Sequence, residues 1–175
     1  MSLVPQEKRV RVNVDLRDPA HFIAFGLGSG LAPKAPGTFG TLAAVPLYLA
    51  LAQLPWPAYL AAVAAATLLG IWACGVSARK LGVHDHNGIV WDEVAGFLLT
   101  MAVVAPTFAN VVAGFVLFRL FDILKPWPIR WLDRHVHGGL GIMADDLLAA
   151  VYAALCLLGL SQLMPAVFAG LPALA

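Results

Sequence analysis

Seven of the ten acidic residues in this 175-residue chain fall between positions 85 and 146: Asp85, Asp92, Glu93, Asp122, Asp133, Asp145 and Asp146. They sit where charged stretches run into apolar ones. A carboxylate at the mouth of a hydrophobic helix is costly to desolvate, so it is paired, metal-bound or functional. The run Asp85-His86-Asn87-Gly88-Ile89-Val90-Trp91-Asp92-Glu93 leads straight into an apolar segment. Asp92 and Glu93 therefore fall in a first helical turn, where the dipole favours anions. Helix-end electrostatics accounts for one of them; two adjacent acids with Asp85 just upstream exceed that need. Oxygen ligands of this kind suit Mg²⁺, which takes one or two carboxylates, several waters and substrate phosphate.

The basic partners are close by. Arg119, Asp122 and Lys125 are spaced three apart along one side of a helix that Pro126 stops. They read either as an Arg–Asp ion pair or as a clamp in which Arg119 or Lys125 holds a phosphate. Residues 129–136 form an expected short amphipathic helix ended by Gly138-Gly139, with Asp133 and His137 one turn apart. His137 reads as a proton carrier or as a hydrogen-bonded bystander. Asp145-Asp146 are expected to open the last helix, one as its N-cap and the other reaching the same polar pocket. Upstream, Gly26-Leu27-Gly28-Ser29-Gly30 precedes Pro33-Lys34-Ala35-Pro36-Gly37-Thr38-Phe39-Gly40-Thr41. Glycines, hydroxyls and a helix start make an anion cradle with Lys34, Thr38 and Thr41. The plainer alternative is a turn with Thr38 or Thr41 as N-cap. The run is neither a dinucleotide fingerprint nor a Walker loop.

The elements that must position these groups are apolar. The chain is 61% hydrophobic and 12% charged, with a mean hydropathy of +0.83. Soluble domains carry about 45–50% apolar and about 25% charged residues, so the composition points to an integral membrane protein and excludes disorder. A net charge of +1 gives no basic face for nucleic acid. Cys74 and Cys156 lie in apolar runs and read as small buried hydrophobes. Stretches 35–78, 94–118 and 147–175 carry no Asp, Glu, Lys or Arg. Since a spanning helix needs about 20 apolar residues, they supply five hydrophobic helices. Two come from 35–78, split at Leu54-Pro55-Trp56-Pro57; the others are 92–105, 109–125 and 145–163. Residues 21–31 read as a short re-entrant or interfacial piece.

The expected fold is therefore all-α, a polytopic bundle of about four to five transmembrane helices. Residues 1–20 form a polar arm without the apolar core of a signal peptide, and 21–175 a single membrane domain. Charged and uncharged connectors alternate, which puts the arm and both charged loops on the cytoplasmic side. Trp56, Trp91, Trp127 and Trp131 fall at helix ends, as interfacial anchors would.

The motifs together resemble the phosphatidylglycerophosphatase A family of bacterial membrane lipid phosphatases. The matching runs are GSGLAPKAPGTFGTL (28–42), DHNGIVWDE (85–93), FRLFDILKPWPIRWLDR (118–134) and HGGLGIMADD (137–146). The resemblance implies Mg²⁺-dependent hydrolysis of phosphatidylglycerophosphate to phosphatidylglycerol and phosphate, at the cytoplasmic face of the bacterial inner membrane. Charge and position suggest that Asp85, Asp92, Glu93 and Asp146 carry catalysis, and that these four and Asp145 hold the metal. Lys34, Thr38, Thr41, Arg119, Asp122, Lys125 and His137 would then form the substrate site.

Other phosphatase designs lack their residues here: there is no Asp-x-Asp-x-Thr of the haloacid dehalogenase type and no Pro-Ser-Gly-His of the histidine-nucleophile lipid phosphatases. The alternative from another class is an ion-coupled transporter using the acidic cluster. It requires polar residues along the middle of the helices, where the apolar stretches offer mainly Gln53, Thr67, Ser77 and Thr100.

Overall fold

Punctuation by proline, glycine and threonine sets the element boundaries in the computed structural model, which describes residues 14–83 and 86–168. Helix α1 (Pro19–Ala24) starts where the Asp18 side chain accepts from the Ala20 amide at 2.9 Å and Pro19 supplies a preset φ. A kinked 3₁₀ segment follows (Gly26–Leu31), in which Leu27 and Gly28 turn to φ 57° and 101°. Ala35 in the left-handed region and Pro36 then launch α2 (Pro36–Leu51). Thr38 and Thr41 are thus inside this helix, and neither is its N-cap, because the proline fixes the first turn two residues earlier than Thr38. Helix α3 (Trp56–Leu81) begins after Pro55 and stops at Gly82, φ 67°, with Arg79 and Lys80 in its last turn opposing the carbonyl end of the dipole.

Helix α4 (Trp91–Thr100) carries Asp92 and Glu93 in its first turn and runs into a 3₁₀ turn at Met101–Val103. Thr107 caps α5 (Phe108–Leu124) by accepting from the Asn110 amide, and Lys125 at φ 43° ends it. Helices α6 (Ile129–His135) and α7 (Gly138–Leu163) complete the chain. The last helix starts seven residues before Asp145, not at it. The pair Gly138-Gly139 reads as a terminator, yet Gly139 and Gly141 are helical positions of close contact: a Cβ on Gly139 would lie 1.9 Å from the Ile71 carbonyl oxygen, and one on Gly141 2.2 Å from that of Val136. Asp145 and Asp146 are consequently interior helix residues, 6% and 3% exposed.

Helix α7 packs against α3, α4, α5 and α6. Short α4 is the most enclosed element, burying Val94, Ala95, Phe97 and Leu98. A ten-residue helix can be buried only if its open carbonyls find donors. Tyr59 donates to Leu98 O at 2.6 Å, Trp56 to Ala102 O at 3.0 Å and Tyr48 to Val104 O at 3.5 Å, closing that end. One core cluster surrounds Tyr48, Phe97, Phe118 and Leu157. A second, around Phe25, Cys74, Trp91 and Met143, lies toward the charged end.

The described residues form no strand, and the all-helical expectation holds. α3 and α7, at 26 residues each, are long and apolar enough to cross a membrane. At 16, 10 and 17 residues, α2, α4 and α5 fall short of the about 20 a full crossing takes. Trp72 and Leu155 point outward from the two long helices, as side chains facing lipid do. Trp91 departs from its expected role as an interfacial anchor: it is 8% exposed and its indole donates to Ala66 O within the bundle. Cys74 is buried as expected, whereas Cys156 lies exposed on α7.

Candidate functional site

The charged end of the bundle is built by the amino ends of α2 and α4, the carboxyl end of α5 and the third turn of α7. Asp92 and Glu93 come from α4 and Asp146 from α7, more than fifty residues away in the chain. One carboxylate oxygen from each falls within 4.8 Å of the others. Asp92 Oδ1, Glu93 Oε2 and Asp146 Oδ2 are buried and have no hydrogen-bond partner among the described residues. Orphaned buried oxygens are rare in folded chains and call for a partner of another kind.

Arg119 is the neighbouring cation. Its Nη1 lies 2.6 Å from Asp122 Oδ2, one turn along α5, and 3.4 Å from Glu93 Oε1. The side chains of Arg119, Asp122 and Glu93 are 15%, 13% and 13% exposed. Of the two open readings of this stretch, the structure shows the ion pair: Arg119 is paired with Asp122 and also reaches Glu93. Taken as ionised, Asp92, Glu93, Asp122 and Asp146 carry four negative charges against the one positive charge of Arg119. A net charge of −3 in a poorly solvated cluster is strongly self-repelling.

A second charged group borders the first. Lys125 donates to Asp133 Oδ1 at 2.7 Å and to Asp145 Oδ2 at 2.5 Å. Burial opposes the ammonium charge, but the two carboxylates outweigh it and hold its pKa above the usual lysine value. This bridge ties the end of α5 to α6 and α7. Asp145 thus points to Lys125, while its neighbour Asp146 joins the triad on the adjacent face of the helix. Asp133 was recognisable only as one more clustered acid; its tie to Lys125 depends on the Pro126–Pro128 turn, which folds α6 back.

The amino end of α2 closes the site from a third side. Gly37 is buried, and a Cβ there would fall 2.0 Å from Glu93 Oε1 and 3.0 Å from Arg119 Nη1. Only the Pro-Gly pair at the helix start hinted at this contact. Thr38 is half-buried in the same first turn and Lys34 is exposed two residues before Pro36. Thr41 is fully buried, and its hydroxyl donates to Gly37 O at 3.0 Å, so its proton is committed to the helix. His137 is exposed at the start of α7, its Nδ1 3.2 Å from His135 O. It lies nine residues, about 13 Å of helix rise, from Asp146. Asp85 is outside the described residues. Near the second core cluster, buried His21 pairs through Nδ1 with Ser77 Oγ at 2.7 Å, joining α1 to α3; nothing in the local pattern signalled this contact.

The chain matches the family model described as phosphatidylglycerophosphatase A over residues 22–161. It is 46% identical over 156 residues to the phosphatidylglycerophosphatase A of Escherichia coli, covering 88% of this chain and 91% of that protein. It is 42% identical over 153 residues to the protein of the same name in Haemophilus influenzae, covering 86% and 94%. A Bacteroides thetaiotaomicron protein named as a putative phosphatidylinositol-3-phosphatase is 40% identical over 139 residues, covering 75% and 86%. No solved structure matches. Matched by the family model over residues 22–161 and by two proteins of that name along most of its length, this chain belongs to the phosphatidylglycerophosphatase A family.

Proposed function

We propose that this enzyme hydrolyses the terminal phosphomonoester of phosphatidylglycerophosphate, releasing phosphatidylglycerol and inorganic phosphate, with Mg²⁺ held by Asp92, Glu93 and Asp146. The observation that carries the proposal is the convergence of three carboxylates with orphaned buried oxygens beside Arg119. An all-oxygen, acid-rich donor set fits Mg²⁺ rather than a softer metal. When bound, the ion polarises phosphoryl oxygens and lowers the pKa of its water.

The protein's own groups have separable parts. Arg119, oriented by Asp122, neutralises the phosphate oxygens and the charge that spreads over them in the transition state. The first turn of α2, with Gly37 against Glu93 and Thr38 beside it, brings backbone amides and the positive helix end toward the same anion. Lys34 at the rim attracts the dianion. A triad carboxylate oxygen that the metal leaves free would take the proton from the attacking water. Asp85 and Asp145 complete the acid set, with Asp145 held through Lys125. Thr41 supports the α2 turn from inside, and His137 stands at the rim as a proton exchanger.

The site lies at the cytoplasmic face of a multi-pass inner-membrane protein. Alternation of charged and uncharged connectors supports this orientation, and the outward apolar faces of α3 and α7 support embedding. The substrate keeps its acyl chains in the bilayer while its terminal phosphate reaches the charged end. The transporter reading has no such support, because the charged groups collect at one end of the bundle and form no trail across it.

Phosphate release from phosphatidylglycerophosphate by purified protein in detergent micelles, with and without Mg²⁺, tests the reading. Asp92→Asn and Glu93→Gln should each lower kcat at least about 100-fold, the range of a lost electrostatic or proton-transfer group. Full turnover in both variants, or in chelator, would overturn the assignment.

A further inference from the structure

We propose that an apolar cleft between α3 and α7 seats one acyl chain of the lipid whose phosphate is processed at the acid cluster; this rests on the lipid-phosphate reading above. The two helices are antiparallel and touch most closely near the charged end, where Gly75 meets Gly139 and Gly70 meets Met143. Below those contacts they part, leaving a cleft of about 690 Å³. Ala64 and Leu68 form one wall, Ala144, Leu147 and Val151 the other, and Leu132 of α6 covers the top. Thr67 is the one polar residue of the lining, and its hydroxyl is satisfied within the helix, donating to Val63 O at 2.9 Å. From residue 68 to residue 60 of α3 the cleft descends about 12 Å, most of one leaflet's share of a hydrocarbon core about 30 Å thick.

Continuity with the charged site identifies the occupant. Ala144 directly precedes Asp145, and Leu132 directly precedes Asp133; these two acids jointly grip Lys125. The upper rim of the cleft is therefore made by the immediate neighbours of the charged bridge. Asp146 lies on the roughly opposite side of α7 from Ala144. A ligand using both places must be apolar below, anionic above, and long enough in its headgroup to pass the helix. A phospholipid with a glycerol spacer before its terminal phosphate has that form, and a free lipid tail or soluble phosphate ester does not.

The test compares Ala64→Phe, which fills the cleft, with Ala61→Phe, one turn away and outside it. Turnover is measured on dipalmitoyl and dihexanoyl phosphatidylglycerophosphate at fixed surface concentration. Ala64→Phe should lower the long-chain to short-chain ratio of kcat/KM about tenfold, through KM, as lost apolar contact does; Ala61→Phe should leave the ratio where it was. An unmoved ratio in Ala64→Phe would overturn the proposal. Wild-type protein provides the second measurement: substrate carrying a diazirine in its acyl chain should label the peptides holding Leu68 and Leu147. Excess unlabelled substrate should compete and excess phosphatidylcholine should not. Equal competition by phosphatidylcholine would make the cleft a bulk-lipid surface, and labelling of the other copy's peptides would make it a dimer contact; either result overturns the proposal. Absence of phosphate release from both chain lengths would instead sink the phosphatase reading, with the labelling pattern still reporting on the cleft.

Discussion

Gly37 and Glu93 touch without a side chain between them: a methyl group on Gly37 would lie 2.0 Å from Glu93 Oε1 and would also press on Arg119. The first turn of α2 is thereby seated directly on the acid cluster. Gly37→Ala should displace Glu93 and Arg119 by about an ångström. Misplacement on that scale costs about 100-fold in rate. Because α2 keeps its proline start, helicity by circular dichroism should be unchanged while kcat falls. Full activity in Gly37→Ala would show that Glu93 moves freely and is not a positioned ligand.

The uncompensated charge around Asp92, Glu93 and Asp146 makes a prediction about stability as well as rate. Mg²⁺ should raise the unfolding temperature of the wild type in detergent, by an amount that grows with concentration; at 100 times Kd the gain is about 2.7 kcal/mol. Removing one buried like charge should act in the same direction without metal. Asp92→Asn is therefore expected to unfold at a higher temperature than wild type in chelator, and to lose the Mg²⁺ response. A variant less stable than wild type in chelator would mean that the three carboxylates do not repel one another.

The site was legible in its parts and hidden in its assembly. The i,i+3 pair Arg119–Asp122 and the first-turn acids Asp92 and Glu93 follow from local spacing, as do the breaks at Pro55 and Pro106. That Asp146 joins Asp92 and Glu93, while Asp145 turns to Lys125, depends on how α7 packs, and no local pattern distinguishes two adjacent aspartates. The misplaced start of α7 has the same origin. The pair Gly138-Gly139 reads as a terminator by propensity, but Gly139 serves contact with α3, which only the tertiary structure decides. The expectation of four or five spans came from counting apolar stretches, and α3 and α7 are the described helices long and apolar enough to cross a membrane.

Lys125 combines two properties that substitution can separate. It holds Asp133 and Asp145, and it ends α5 at φ 43°, a conformation that costs a side-chain-bearing residue about 1–2 kcal/mol. Lys125→Met loses the ion pairs and keeps the backbone strain. With Asp145 left mostly buried, it should destabilise by about 2 kcal/mol, below the 3–5 kcal/mol of a fully buried pair. Lys125→Gly also loses the pairs but relieves the strain, and should be the more stable of the two by about 0.5–1 kcal/mol. Denaturant titration of both variants in the same detergent would check this; the reverse order would mean that the turn at Lys125 opens at little cost.

Helix α7 offers a paired test of why its glycines are where they are. Gly139 has backbone at 1.9 Å from where its Cβ would stand, the carbonyl of Ile71, and neither α3 nor α7 can yield there without separating. Gly139→Ala should therefore destabilise by about 3 kcal/mol or more, in the range of overpacking a tight core. It should also lower kcat, because α7 carries Asp146. Gly159, twenty residues along the same helix, has nothing within 4 Å of its missing side chain. Gly159→Ala removes only the conformational freedom of the unfolded chain and should stabilise by about 0.5–1 kcal/mol. The same substitution in the same helix thus takes opposite signs. Equal effects at the two positions would show that α3 and α7 are not in close contact, and that Asp146 is then not held against α4 by that packing.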